Sequence, residues 1–144
     1  MILYLDSSAL VKLYVREWGS TEVVAAVGEA EAVAASAVAY AEMRAAFARL
    51  LREGMTTRER HEARLAAFNG DWENCMRIDL LPGVARSAGD IAEIYALRGF
   101  DAIHLASALW LRDRAGAGLR FMAFDRRLAV AARAAGLAVA PLPE

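Results

Sequence analysis

Apolar residues fall along this chain in two patterns. Short continuous runs stand between turn signals, and longer stretches repeat an apolar position every three or four residues. Ile2-Leu3-Tyr4-Leu5 is a continuous run closed by Asp6, as expected of a strand buried on both faces. A helix is expected over about 8–16, broken at Trp18-Gly19-Ser20-Thr21. Ser20 or Thr21 then caps a second helix to about Val27. Residues 31–35 predict a second strand. Ser36 reads as the cap of a long helix reaching Glu53, with Tyr40, Met43, Phe47 and Leu50 as its apolar stripe. Gly54 ends that helix and Thr56 or Thr57 starts another, on which His61, Leu65, Phe68 and Trp72 share a face. Asn69-Gly70 is expected to interrupt it. The two helices make an α-hairpin.

Residues 76–80 predict a third strand, closed by Pro82-Gly83. Val84, Ala88, Ile91 and Tyr95 mark a helix ending at Gly99. Asp101 opens the next helix, which is apolar nearly all round over 102–111 and is therefore expected to be buried. A fourth strand over 121–124, a helix over 125–135 and a last strand over 137–140 complete the pattern. Strands alternating with helices predict an α/β fold, with helices on both faces of a mostly parallel sheet of about five strands. The length of 144 residues suits one domain spanning 1–144, and no repeat, linker or low-complexity tail divides it.

Composition narrows the class. With 58% apolar and 24% charged residues the chain belongs with globular proteins. No run reaches the eighteen or so apolar residues that a membrane span needs; the Ala-rich stretch over 33–48 is interrupted by Glu42 and Arg44. No basic segment precedes the first apolar run, so no signal peptide is expected. The single cysteine, Cys75, excludes an internal disulfide and fits a cytoplasmic protein. A net charge of −1 gives no global attraction to nucleic acid. Lys12 is the only lysine among 17 basic residues. Arginine forks suit phosphate, although a GC-rich genome produces the same bias.

Four carboxylates are candidates for chemistry. In an open parallel sheet, ligands gather outside the carboxyl ends of the strands, where the strand order switches. Asp6 closes the first strand, Asp125 follows the fourth, Asp101 starts the buried helix and Glu42 lies early in the long helix. Asp101 and Asp125 also stand where N-caps belong, and Glu42 alone would be an ordinary solvated helix residue. Asp6 needs a partner or a metal if it is to close an apolar strand. Together the four suit a hard divalent cation such as Mg²⁺ or Mn²⁺. Ser7 and Ser8 are expected to cap the first helix, or else to bond the neighbouring carboxylate, and Ser7, Arg126 and Arg127 are candidate substrate contacts. His104 is expected to be a packed, hydrogen-bonded core residue. There is no zinc-ligand spacing, nucleophile–base pair or phosphate-binding GxxxxGK[ST] loop.

These residues resemble a family. Leu5-Asp6-Ser7-Ser8-Ala9-Leu10-Val11-Lys12-Leu13-Tyr14 looks like the opening of VapC-type PIN-domain proteins. Ser36 through Glu42 resembles their second motif, Asp101-Ala102-Ile103-His104-Leu105-Ala106-Ser107-Ala108 their third, and Phe124-Asp125-Arg126-Arg127-Leu128 their fourth. The resemblance spans nearly the whole chain in order and implies a PIN-like three-layer α/β/α fold. It implies that Asp6, Glu42, Asp101 and Asp125 form an acidic site using Mg²⁺ or Mn²⁺ to hydrolyse RNA phosphodiesters. It also implies a homodimer and a small antitoxin as partner. One departure is Ala123, where the family commonly has Thr or Ser two residues before the last Asp.

Four other readings compete. A phosphoacceptor receiver needs a lysine near its acidic cluster, and Lys12 lies in the first helix. A haloacid-dehalogenase-like phosphatase needs a second Asp two residues after the first, where this chain has Ser8. The remaining alternatives are a PIN-like RNA-processing nuclease without a toxin role, or an inactive RNA- or protein-interaction module.

Overall fold

The computed structural model describes residues 1–144. Its centre is a sheet of five strands: β1 (Ile2–Leu5), β2 (Ala32–Ser36), β3 (Met76–Ile78), β4 (Leu119–Met122) and β5 (Ala138–Val139). Every pairing is parallel, and the spatial order is β3-β2-β1-β4-β5. The chain leaves β1 toward β2 and β3 on one side and returns to β4 and β5 on the other. The order therefore switches between β1 and β4, opening a crevice at their carboxyl ends.

Seven α-helices cover the sheet. On one face lie α1 (Ser7–Leu10), α2 (Ser20–Glu29), α3 (Ala39–Arg52) and α4 (Arg58–Trp72); on the other lie α5 (Pro82–Tyr95), α6 (Gly99–Arg114) and α7 (Arg126–Ala134). The alternation of β1 explains the two layers. Ile2 and Tyr4 join the core beneath α5, α6 and α7, whereas Leu3 and Leu5 join the core beneath α1 to α4. Burying side chains of this size contributes about 1.5–3 kcal/mol each, so a strand apolar on both faces is stable only between two helical layers. In the α3–α4 hairpin Tyr40, Phe47, Phe68 and Trp72 pack ring against ring at 5.5–5.6 Å between centroids.

Several elements differ from the pattern-based expectation. The first helix is one turn, Ser7–Leu10, followed by a 3-10 turn over Val11–Leu13. Its cap is Asp6, whose carboxylate accepts the Ala9 N–H at 3.0 Å. Gly19, at φ 91°, is the N-cap of α2, and Ser20 is its first helical residue. Ser36 ends β2 and does not cap α3; its hydroxyl takes the Val38 N–H in the turn between them. Asn69-Gly70 does not break α4, because the burial of Phe68 and Trp72 on either side holds the turn in register. β3 is shorter than expected, since Leu80 and Leu81 are exposed and Pro82 already starts α5. α5 stops at Ala96, in the left-handed region at φ 53°, and Gly99 opens α6 instead of ending α5. Asp101 is thus in the first turn of α6 and is not its cap. β4 spans Leu119–Met122, so Ala123 and Phe124 separate it from Asp125. β5 is only Ala138–Val139.

Candidate active site

Four helix N-termini point toward the crevice between β1 and β4, and each brings one of the four carboxylates. Asp6 caps α1, Glu42 and Asp101 lie in the first turns of α3 and α6, and Asp125 caps α7 by accepting the Leu128 N–H at 3.1 Å. Carboxylates are stabilised there by the free N–H groups and the positive end of the helix dipole. Asp6, Glu42, Asp101 and Asp125 line one cleft of about 400 Å³, together with Ser7, Ser8, Arg98, His104 and Phe124.

The cleft has a buried end and an open end. Asp6 is 3% exposed, whereas the side chains of Asp101 and Asp125 are 18% and 37% exposed. The Asp6 carboxyl is raised to about 6, chiefly by burial and in smaller part by Asp101, against the lowering effect of His104, the Ser8 hydroxyl and the Ala9 N–H. Ser8 donates to both Asp6 oxygens, at 2.7 and 2.9 Å, and accepts the Phe124 N–H at 2.9 Å. One hydroxyl thereby ties the end of β1 to the loop after β4.

Glu42 is held differently. Half-burial raises its pKa, but hydrogen bonds from His104 and Ser7, with the charge of the His104 ring, outweigh burial and leave it below the usual carboxylate range. His104 Nε2 lies 2.8 Å from Glu42 Oε1, and Ser7 donates to the same oxygen at 2.7 Å. The other ring nitrogen, Nδ1, is 3.1 Å from the hydroxyl of buried Tyr4. Nε2 pairs with the carboxylate and Nδ1 with the Tyr4 hydroxyl, so the ring is oriented from both sides. His104 was expected to be a core histidine; it is buried, and it also braces a cleft carboxylate. Ser7 lies in the cleft with its hydroxyl engaged by Glu42.

Arg98 is the residue that sequence reasoning missed. As N-cap of α6 it sends its guanidinium across the cleft mouth, 3.2 Å from Asp101 and 3.7 Å from Asp125. Its side chain is 81% exposed, so these pairs are weak and easily exchanged. Arg126 and Arg127 join it around an adjoining recess of about 510 Å³ that also touches Asp101 and Asp125. Asp101 is a local partner of Arg98, three residues on, but the second partner, Asp125, comes from another element and leaves no sequence pattern that marks Arg98 as part of the cleft. Ala123 is fully buried in the core under α7, with no hydroxyl to offer the site.

The donor set of the cleft is oxygen throughout apart from His104, which suits Mg²⁺ or Mn²⁺ over softer ions. No three of its side chains are arranged as a ready cage for an ion. Mg²⁺ keeps most of its water and commonly uses only one or two carboxylates, so an open, acid-lined cleft fits it without such a cage. The cost of ionising buried Asp6 points the same way, because a cation is what that carboxylate lacks. A separate depression of about 460 Å³ among α1, α2, α4 and β2 is mostly apolar and contains none of the four carboxylates.

Comparison with known proteins adds four results. A family model described as PIN domain matches residues 3–134. The chain is 41% identical to ribonuclease VapC45 of Mycobacterium tuberculosis, covering 97% of this chain and 95% of that protein. Among solved structures it is similar to FitAcB from Neisseria gonorrhoeae, with a TM-score of 0.68, 22% identity and coverage of 98% and 97% of the two chains. It is also similar to VapBC2 from Rickettsia felis bound to a DNA fragment from their promoter, with a TM-score of 0.63, 14% identity and coverage of 97% and 98%. At these identities the structural matches speak for the fold. No helix is long and apolar enough to cross a membrane.

Proposed function

The chain belongs to the PIN domain family, and on that premise we propose that it is a Mg²⁺- or Mn²⁺-dependent ribonuclease acting as the toxin of a VapBC-type pair. The observation that supports this reading best is the cleft shared by Asp6, Glu42, Asp101 and Asp125 at the switch point of the sheet. The 41% identity to a ribonuclease over nearly the whole chain agrees with it. In this reading residues 1–144 act as one PIN-like domain, in the cytoplasm, as a homodimer restrained by a small antitoxin.

Asp6 and Asp101 would hold the divalent ion directly, and Glu42 and Asp125 would reach it through water or orient the attacking water. When bound, the ion supplies Lewis-acid stabilisation of phosphate charge and a water of lowered pKa. The chain's own residues do the rest. His104 and Ser7 fix the Glu42 carboxylate in its ionised form, ready to accept a hydrogen bond. Arg98, Arg126 and Arg127 offer forked donors to the phosphates on either side of the scissile bond. Buried Asp6 anchors the floor through Ser8.

The test is cleavage of single-stranded RNA by the purified chain freed of any antitoxin. Cleavage should require Mg²⁺ or Mn²⁺ and stop with chelator. Asp101→Asn keeps the shape and removes one charge, and should lower the rate at least about a hundredfold, the upper range for disturbing merely the support of a metal ligand. Equal cleavage by parent and variant, from preparations free of contaminating nuclease, would refute the assignment. If co-expression with a small protein encoded next to it gives neither a complex nor relief of toxicity, the toxin role falls and the nuclease stands.

A further inference from the structure

The turn before α2 carries Trp18, 57% exposed, directly beside the acidic cleft. Its indole meets the Phe124 ring edge to face, with centroids 5.6 Å apart and planes at 82°, and Phe124 lines the cleft immediately before Asp125. We infer that Trp18 and Phe124 form a stacking site for a nucleobase of the RNA strand whose backbone lies across the acidic cleft. This inference rests on the ribonuclease reading and assigns a base-binding role to residues outside its catalytic set.

The backbone segments that carry both rings are held in advance. The Glu17 N–H donates to the Ser20 hydroxyl at 2.9 Å, Ser20 N–H returns to the Glu17 carbonyl at 3.1 Å, and the Ser20 hydroxyl donates to the Val15 carbonyl at 3.3 Å. Lys12 binds the Glu17 carboxylate at 2.9 Å. The turn that presents Trp18 is thus closed by four bonds. Phe124 is fixed through its N–H to Ser8, the same hydroxyl that holds Asp6. Gly19 lets the two segments meet. It adopts φ 91°, and a Cβ there would stand 2.3 Å from the Phe124 ring. A rigid aromatic surface one hydrogen-bonded step from Asp6 is preorganised for a flat partner.

The charges decide which part of a nucleotide it takes. Lys12 Nζ lies 4.5 Å from the Phe124 centroid and 5.9 Å from that of Trp18, but its side chain is only 10% exposed and is paired with Glu17. Lys12 is thus occupied by Glu17, and what the aromatic pair itself presents is π-surface. Three guanidinium groups, those of Arg126 and Arg127 and the exposed, carboxylate-paired Arg98, stand around the recess on the Asp101 and Asp125 side. Phosphate suits the arginine side and a base suits the aromatic side. Stacking of this kind is tolerant of base identity, because every base has a π-face.

The experiment uses the full chain carrying Asp101→Asn to suppress cleavage, with a fluorescently labelled single-stranded RNA in Mn²⁺, and reads affinity by anisotropy. The parent first maps the cleavage position on that RNA. Adding Trp18→Ala should weaken binding at least about fivefold, the lower end of stacking losses on alanine substitution. Trp18→Phe should stay within about twofold, since a ring remains. An RNA with one abasic nucleotide beside the cleavage position should bind Trp18→Ala and the Trp18 protein alike. In the cleaving background, Trp18→Ala should raise KM more than it lowers kcat. Unchanged RNA affinity in Trp18→Ala overturns the inference while leaving the nuclease intact, as does a variant altered only in self-association or in binding a co-expressed protein. If the parent itself neither binds nor cleaves RNA, the inference falls with the ribonuclease reading.

Discussion

Asp6→Asn isolates the energetic strain of the acidic cleft. Asp6 is buried, and its carboxyl is raised from 3.8 to about 6, chiefly by burial. A raised acid binds its proton more tightly in the folded protein than in the unfolded chain. Ionisation therefore destabilises the fold. The penalty is complete above about pH 6 and absent below the unfolded value of 3.8, so this group makes the metal-free protein more stable as pH falls through that window. A rise from 3.8 to about 6 corresponds to roughly 3 kcal/mol at neutral pH. Asparagine removes the charge at nearly equal volume. Its carbonyl can still accept from Ala9 N–H and Ser8, but the second Ser8 contact is lost. A net gain of about 1–3 kcal/mol is expected, which for a chain of this size raises Tm by about 3–9 °C.

The assay is a thermal melt of both proteins from pH 7.5 to pH 4.5, in chelator and in Mn²⁺. In chelator at pH 7.5 Asp6→Asn should melt higher, and its advantage should shrink as the pH falls through 6. In Mn²⁺ at a hundredfold excess over its dissociation constant the parent should gain about 2.7 kcal/mol, and the variant should lose most of that response. A variant that melts several degrees lower in chelator would show Asp6 to be an ordinary structural hydrogen-bond acceptor. An advantage independent of pH would refute the ionisation argument, and a full Mn²⁺ response would remove Asp6 from the metal site.

Three further substitutions test the supports of the site. Arg98→Gln removes the cation that pairs with Asp101 and Asp125, so isothermal titration should show Mn²⁺ binding more tightly, while RNA affinity falls and its salt dependence weakens by about one phosphate contact. Unchanged values for both would show Arg98 to be a bystander. His104→Ala strips Glu42 of a buried partner and takes one partner from the Tyr4 hydroxyl; urea unfolding should show a loss of about 2–4 kcal/mol, and cleavage should fall about 10–100-fold, with His104→Gln recovering part of both. Gly19→Ala must adopt φ 91° and displace the Phe124 ring; a loss of at least about 1–3 kcal/mol is expected, and a Tm equal to the parent's would show that the turn relaxes freely.

The order of elements was legible because burial on both faces of a parallel sheet leaves a plain record. Ile2 to Leu5 has no polar position to mistake, and α6 is apolar over most of its circumference because three neighbours cover it. Boundaries were less legible wherever a turn is set by tertiary contact. Asn69-Gly70 carries a local breaking signal, yet Phe68 and Trp72 outweigh it by packing into the aromatic cluster of the hairpin. Ala96 is in the left-handed region with no local residue to announce it, while Gly99, the obvious candidate for such a position, begins a helix. Propensity of a few tenths to one kcal/mol per residue cannot compete with burial of whole aromatic side chains.

The cleft divides along the same physical line. Each of its four carboxylates lies just after a strand or within the first turns of a helix, so chain position alone brings them to the carboxyl edge of a parallel sheet. What chain position cannot reveal is pairing between elements. Arg98 matters through Asp125, 27 residues away, and His104 through Glu42, 62 residues away. Trp18 meets Phe124 only because Gly19 removes the Cβ that would separate them. Helix ends supply the carboxylates cheaply, since each N-terminus welcomes negative charge. Holding four of them around one cleft is unfavourable in the absence of cations. The residues that answer that repulsion must come from wherever the fold can bring a donor within reach: a guanidinium at the mouth, an imidazole at Glu42, a serine at Asp6. Each compensates a cost created by folding itself; Ser8 lies two residues from Asp6 and could be read locally, whereas the pairings of Arg98 with Asp125 and of His104 with Glu42 join separate elements and leave no local signature.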